Sequence, residues 1–339
     1  MERVVRPEFT GSASEYFRIW IVNLFFTLAT LGIYSAWAKV RKKRYFYGAT
    51  RFDGDSFDYF ASPKAILKGR LVALAGFLFY AFAGELYPDS RYAFWALALL
   101  LLPWLVVRAL AFNAHNSAYR GLRFDFNART AHAARIYIGI LLVVVFTGGI
   151  ALPWFLARQK SFVVAHHALG TSRFACAIPA SRFFGIYFRA GLIMLALVVP
   201  SALLMGVLIA VVKLPESISW AALLLSVIPM YAGYAMAYAY SQARTTNLLW
   251  ANAYGPGMQF SSSLSANKLA WLYVGNIVAV ACTAGLLIPW AVVRTLRYRL
   301  ENFAVTLDGE PVHEANPGLP RVGALGQEIG DIFNLDLGL

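Results

Sequence analysis

Residues 16–47 read YFRIWIVNLFFTLATLGIYSAWAKVRKKRYFY, and how this stretch is read decides the fold. An apolar segment runs to Thr30-Leu31-Gly32, and a second segment carries Trp37 and Arg41 into the basic cluster Lys39, Arg41, Lys42, Lys43, Arg44. The frame returns twice. Counting from Thr30, Thr147 and Thr283, a Gly lies two residues on (Gly32, Gly149, Gly285), a Trp seven on (Trp37, Trp154, Trp290) and an Arg eleven on (Arg41, Arg158, Arg294). Pro153 and Pro289 precede the Trp in the later copies, where the first has Ala36.

The arms of this unit are short. As a helix, Tyr16–Ala29 is about 21 Å long, less than the ~30 Å hydrocarbon core of a bilayer. Gly and Thr suit a bend within lipid, because a freed backbone group there can find a side-chain hydroxyl. Two readings are open: one continuous span from Phe17 to Ala38, or a helical hairpin that enters and leaves on one side.

Outward from the unit, the composition sets the class. The chain is 59% hydrophobic and only 14% charged, against roughly 25% charged in a soluble domain. Long apolar runs predict a polytopic membrane protein. The N-terminal residues lack the short apolar core and cleavage site of a removable signal peptide. Thr50–Ala61, with its Asp-Gly, reads as short extended structure. Full-length spans are expected at Ile66–Tyr87, Tyr92–Phe112, Gly191–Val212 and Ile218–Tyr240, with kinks at Pro200 and Pro229. Repeats fall at about 9–60, 124–178 and 260–312, the span pairs at about 66–112 and 191–240, and a tail at 313–339.

Charge placement decides between the readings. If the repeats are hairpins and the four long segments cross, Arg91 and Lys213 alone of the 30 Lys and Arg fall on the far side. If all seven apolar segments cross, basic residues distribute to both faces. Cytoplasmic loops hold the positive excess. The expected fold is therefore an all-α polytopic membrane protein in a single membrane domain. It has four transmembrane helices, three repeated re-entrant or interfacial helical hairpins, short extended cytoplasmic segments and both termini in the cytoplasm.

FTGSASEYFRIWIVN, TLGIYSAWAKVRKKRYFYGATRFDG, the later YRGLRFDF and the third-repeat TAGLLIPWAVVRTLRYR resemble the YjgN family, bacterial inner-membrane proteins of unknown function. The resemblance covers nearly the whole chain, implies an inner-membrane location and brings no catalytic residues. The second repeat departs mildly from the pattern, with Gly148 at the bend and Ser161 where the other copies have Arg44 and Arg297.

Each candidate site has two readings. Trp and Arg four apart share a helix face, so Trp37/Arg41, Trp154/Arg158 and Trp290/Arg294 either anchor at the lipid interface, the preferred reading, or ring a vestibule for anionic solutes. Asn23 and Asn276 lie seven residues before the bend Thr; helix packing is preferred to a wet path. The Thr-x-Gly bends are structural turns or solute-contacting helix breaks. The cluster Lys39–Arg44 attracts anionic lipids at a cytoplasmic surface.

The long spans hold no Asp, Glu or His away from their ends, which argues against a proton- or sodium-coupled pump. The five His have no ligand spacing, so no metal site, cofactor or catalytic constellation is expected, and no nucleic-acid module is visible. A homo-oligomer is left open. Two functions survive: a passive path for a small solute, or a non-catalytic organiser that binds anionic lipids or partner proteins.

Overall fold

A computed structural model describes residues 2–212, 216–309 and 324. In chain order, β1 (Glu2–Val5) and β2 (Glu8–Phe9) precede α1 (Ala13–Ala29) and α2 (Ser35–Ala49). Next come β3 (Thr50–Phe52), β4 (Asp55–Tyr59), α3 (Pro63–Leu86), α4 (Ser90–His115), β5 (Ser117–Tyr119) and β6 (Leu122–Phe126). The middle of the chain holds α5 (Thr130–Ala134), a π-helical segment Arg135–Ile140, α6 (Leu141–Phe146), α7 (Leu152–Ala165), β7 (His167–Leu169), β8 (Ser172–Arg173) and β9 (Ala175–Cys176). It closes with α8 (Ala180–Val212), α9 (Glu216–Ala251), β10 (Ala253–Gly255), β11 (Met258–Ser262), α10 (Ala266–Cys282), α11 (Ile288–Glu301) and β12 (Phe303–Asp308).

The fold is mostly helical, but the all-α expectation is corrected. The short extended segments pair into a five-stranded sheet, β1-β12-β11-β10-β9, and a seven-stranded sheet, β2-β3-β4-β5-β6-β7-β8. Their ends run into one another. Only Arg6-Pro7 separates β1 from β2, and only Phe174 separates β8 from β9. The twelve strands thus form a closed, antiparallel circuit that follows chain order, with Pro7 at one corner, where its missing N–H costs no ladder bond.

This circuit organises the helices. Every tight turn lies on one rim: Asp53-Gly54, Arg120-Gly121, Gly170-Thr171 and Pro256-Gly257. At Asp53-Gly54 and Arg120-Gly121 both residues have positive φ (49° and 87°; 50° and 75°), the backbone a two-residue type I′ hairpin turn requires. Every helical excursion leaves from the other rim and returns to it. Backbone hydrogen bonds join the departing and returning strands at Thr10–Ala49, Phe60–Asn116, Asn127–His166 and Ser263–Asn302, and Cys176 pairs with Ala253. Glu2 pairs with Asp308, so both ends of this stretch sit at the turn rim.

Five excursions alternate around the circuit. Helix–turn–helix units stand on β2–β3, β6–β7 and β11–β12, and the longer helix pairs α3–α4 and α8–α9 stand on β4–β5 and β9–β10. Among the described residues, three helices are long and apolar enough to cross a membrane: Pro63–Leu86, Ser90–His115 and Ala180–Val207. They start earlier than the apolar runs suggest, because Pro63 suits the first helical turn and α8 continues the strand rim through Ala180. Pro200 and Pro229 lie inside continuous helices. Among the described residues, much of the outward surface is apolar, with Phe79, Phe82, Leu100 and Leu203 all exposed, as in a protein whose solvent is lipid. The expected tail lies outside the described residues except Ala324, which is buried against Ala36 and Val40.

Candidate functional site

The three bends are built alike. Thr30, Thr147 and Thr283 each end a helix, and each hydroxyl donates to the carbonyl four residues back (Phe26, Val143, Ala279; 2.7, 2.8 and 2.8 Å). Each then accepts the N–H four residues on, from Tyr34, Ala151 and Leu287. Gly32, Gly149 and Gly285 send their N–H groups to Thr27, Val144 and Val280, at 2.8 Å in all three. This is the Schellman helix stop, which needs left-handed backbone just past the cap. The three Gly have φ of 92°, 91° and 92°, and the residue before each is also left-handed (Leu31 48°, Gly148 59°, Ala284 47°). The Gly148 departure therefore relaxes a position that costs a non-Gly residue roughly 1–2 kcal/mol.

The arms fold back on each other. At the base of the first unit, the Tyr45 hydroxyl donates to Ser12 O at 2.9 Å and the Tyr45 ring stacks on Tyr16 at 5.8 Å. In the third, Asn276 Nδ2 donates to Thr295 Oγ1 at 2.9 Å and to Ala291 O at 3.3 Å. The first and third units also pack together through α1 and α11, and Arg297 reaches Gly11 O.

Between these units and inside the strand circuit lies a cavity of about 1170 Å³. The cavity is half-open, and Thr27, Val280 and Ile288, near two of the bends, form part of its lining. Its floor is the inner face of the circuit, where alternate residues point inward: Phe303, Val305 and Leu307 on β12, Met258 and Phe260 on β11. A two-residue period of this kind is what a strand imposes. Aromatic rings cluster there, with Phe260 stacked against Phe303 and Trp250 edge-on to Phe303 at 4.9 Å.

The charged part of the wall comes from facing helices. Lys39, Lys42 and Lys43 on α2 and Arg299 on α11 line the chamber, with Arg120 and Asp53 at its turn-rim end. Lys43 Nζ also donates to Asn113 Oδ1 at 3.2 Å and lies 5.4 Å from the Tyr59 ring centroid. The helical period thus splits the basic cluster. Lys39, Lys42 and Lys43 line the chamber, Lys42 while still exposed, whereas exposed Arg41 is outside that lining and Arg44 turns to Tyr59 O and Ala61 O. At the turn rim, Arg120 meets Asp55 at 2.5 Å and Asp53 at 3.2 Å, and Arg3 meets Asp53 at 2.7 Å.

The Trp–Arg pairs stand elsewhere. Trp37, Trp154 and Trp290 are half-buried, Arg41, Arg158 and Arg294 are exposed, and none of the six lines the cavity. Arg294 lies 5.0 Å from the Trp290 ring centroid. Asn23 and Asn276 are both buried and both line the chamber. Asn276 is fully engaged, whereas Asn23 Oδ1 has no hydrogen-bond partner among the described residues.

Other polar groups missed by sequence reasoning sit around the circuit. His115 Nε2 and Asp125 Oδ1 are 2.7 Å apart. His167 lines the chamber on β7, and burial pushes its imidazole below the usual range. Burial pushes the Cys176 thiol up to about 11. No group of three or more His, Cys, Asp or Glu among the described residues is placed to hold a metal.

Residues 5–332 match the model of a family described as "Bacterial protein of unknown function (DUF898)". An inner membrane protein YjgN of Salmonella typhimurium strain LT2 is 23% identical, over 92% of this chain and 91% of that protein. The inner membrane proteins YjgN of Escherichia coli O157:H7 and K12 are each 33% identical over 35% of this chain and 30% of their own length. No solved structure matches.

Proposed function

Since this chain belongs to the DUF898 family of bacterial proteins of unknown function, we propose from its geometry that it is a multi-pass inner-membrane protein forming a passive path for a small solute. Helices α3, α4, α8 and α9 cross the bilayer, and the three helix–turn–helix units enter and leave it on the cytoplasmic side. The turn rim of the strand circuit and both termini then lie in the cytoplasm. One observation carries the reading: the chamber is continuous from near the bends to the inside of the circuit. The apolar bend tips support re-entry, since Leu31 is 95% exposed and Phe146 85%, positions that belong in lipid rather than water. The chamber wall holds Lys39, Lys42 and Lys43, so the solute path runs there; the exposed Arg and half-buried Trp of each unit serve as interface anchors. The chemistry proposed is non-enzymatic.

Two measurements test this. Cysteines at Ser56 and Thr171, on the turn side, label only from the cytoplasm, and one at Asp89, between α3 and α4, labels only from outside. Label reaching Ser56 or Thr171 from outside rejects the topology. Proteoliposomes release a trapped small anion or polyol faster than protein-free vesicles, and bulky substitutions at Ala291 and Thr295 slow that release. Release equal to that of empty vesicles rejects the path and leaves the lipid- or partner-binding organiser.

A further inference from the structure

The three hairpins are closed at their base in two different ways. Counting from Thr30 and Thr283, a Tyr lies fifteen residues on (Tyr45, Tyr298) and a Ser eighteen residues back (Ser12, Ser265). Each Ser caps the first arm of its unit, and each Tyr reaches it from the second. The Tyr45 hydroxyl accepts Ser12 N–H and donates to Ser12 O, both at 2.9 Å. The Tyr298 hydroxyl does the same at Ser265, at 3.0 and 3.3 Å. Glu15 also meets the Tyr45 hydroxyl, and hydrogen bonds from Ser12 and Tyr45 hold its carboxyl below the usual range. Neither clamp therefore changes charge between about pH 5 and 8, where histidine does.

The second unit cannot build this clamp. Counted from Thr147, the same two positions hold Phe162 and Arg129. Its base is closed by rings instead. His132 on α5 meets Phe162 and His166, each at 5.1 Å between ring centroids, and Phe162 lies 4.6 Å from His166. His166 Nδ1 donates to Phe162 O at 2.8 Å, so Nε2 is the nitrogen that takes a second proton. The surrounding charges do not offset one. Arg129 precedes His132 and Arg135 follows it on the same arm, and β7 adds His167, 4.9 Å from the Phe126 ring. Asp125 on β6 faces this corner, but it is engaged by His115 from the end of α4 and by Phe126 N–H, both at 2.7 Å. Burial, then His166 and Arg135, hold the His132 imidazole below its usual range. Closure of this base thus favours neutral rings. It is complete above the ordinary value near 6.5 and is lost as pH falls below it.

We propose that the base of the second unit is an acid-sensitive latch. Protonation of His132 and His166 puts two positive charges on adjoining rings and parts α5 from α7. It thereby loosens Phe124, Val164, His167 and Leu169, which this region gives to the chamber wall. The tyrosine clamps keep the first and third units shut through the same change of pH. The latch rests on hairpin geometry and is independent of what enters the chamber.

The test is hydrogen–deuterium exchange of the full-length chain in nanodiscs of neutral lipid, comparing the three first arms, 13–29, 130–146 and 266–282, within one molecule. After correction for the intrinsic pH dependence of exchange, protection of 130–146 falls roughly tenfold or more between about pH 7.5 and about pH 5.5. The other two arms hold theirs. His132→Phe keeps a ring in place, cannot take a charge and abolishes the fall. His132→Lys carries its charge throughout and loosens the arm already at about pH 7.5. Arg129→Ser with Phe162→Tyr supplies the clamp of the other units and keeps the arm protected at about pH 5.5. An equal acid response in all three arms, no response in 130–146, or a response that persists in His132→Phe overturns the latch.

Discussion

Arg294 Nη1 donates a hydrogen bond to Asn276 Oδ1 at 3.2 Å, across the two arms of the third hairpin. The same Asn276 ties to Thr295 and Ala291, and Arg294 lies on the Trp290 ring. The third copy is therefore cross-linked by polar contacts that the first, with Asn23, does not reproduce. Asn276→Leu is expected to destabilise the ligand-free protein by about 0.6–2 kcal/mol. Asn23→Leu, which removes an unsatisfied acceptor, is expected to be neutral or stabilising. Thermal unfolding in detergent of the two variants side by side checks this; a larger loss for Asn23→Leu contradicts it.

The bends make a backbone prediction free of packing. Nothing lies within 4 Å of where a Cβ would sit at Gly32, so Gly32→Ala costs only the strain of φ near 92°, about 1 kcal/mol or more. Ala284→Gly runs the other way. It relieves the left-handed Ala284 that the second copy already avoids with Gly148, and it raises stability by up to about 1 kcal/mol. The pair of unfolding midpoints should move in opposite directions.

His167 sets an acid limit. Its imidazole is shifted down, first by burial, against the opposing hydrogen bond to Val163 O and the charge of Asp125; His166 adds to the lowering. The folded protein thus binds fewer protons at this group than the unfolded chain. Its contribution to stability is complete above the unfolded value of about 6.5 and is lost as pH falls from there toward the folded value. His167→Gln should flatten the decline in unfolding midpoint below pH 6.5. An unchanged slope places the acid sensitivity elsewhere.

Cys176 is half-buried on β9 and its thiol is held up to about 11, with burial the leading cause and the Ser161 hydrogen bond opposing it. The thiolate is the reactive form. Alkylation of Cys176 in a Cys282→Ala background should stay slow at pH 8 and accelerate only well above pH 9. Rapid reaction at neutral pH would mean the strand corner around Phe174 is open.

The ion pairs of the turn rim bear on gating more than on stability. Arg120 and Arg3 are largely exposed, and exposed pairs contribute about 0–1 kcal/mol each. Arg120→Gln should therefore leave the unfolding midpoint within that range. If the rim gates the path, the same variant raises vesicle release. A large drop in stability would make Arg120 a structural bracket instead.

What could be read from the residues in line was whatever depends on near neighbours. Apolar runs long enough for a bilayer identify α3, α4 and α8, because burying or exposing a segment to lipid is a property of its own side chains. Thr30, Thr147 and Thr283 stand at helix ends because a hydroxyl and a left-handed Gly two residues on can close a helix without help from elsewhere. The basic cluster was visible too, but its division into chamber-lining Lys39, Lys42 and Lys43, with Arg41 and Arg44 outside that lining, was not, since that depends on which face α11 and the strands occupy.

By itself, then, the sequence determined membrane-length helices, their stops and the family. Tertiary structure alone decided the closed circuit of strands and the chamber within it. Strands such as Glu8–Phe9 and Ala175–Cys176 are two residues long, too short to carry a periodic pattern. They become strands only through partners tens of residues away, as when Glu8 pairs with Arg51 and Glu2 with Asp308. Such pairings are paid for by chain closure across the whole molecule, and no local preference announces them.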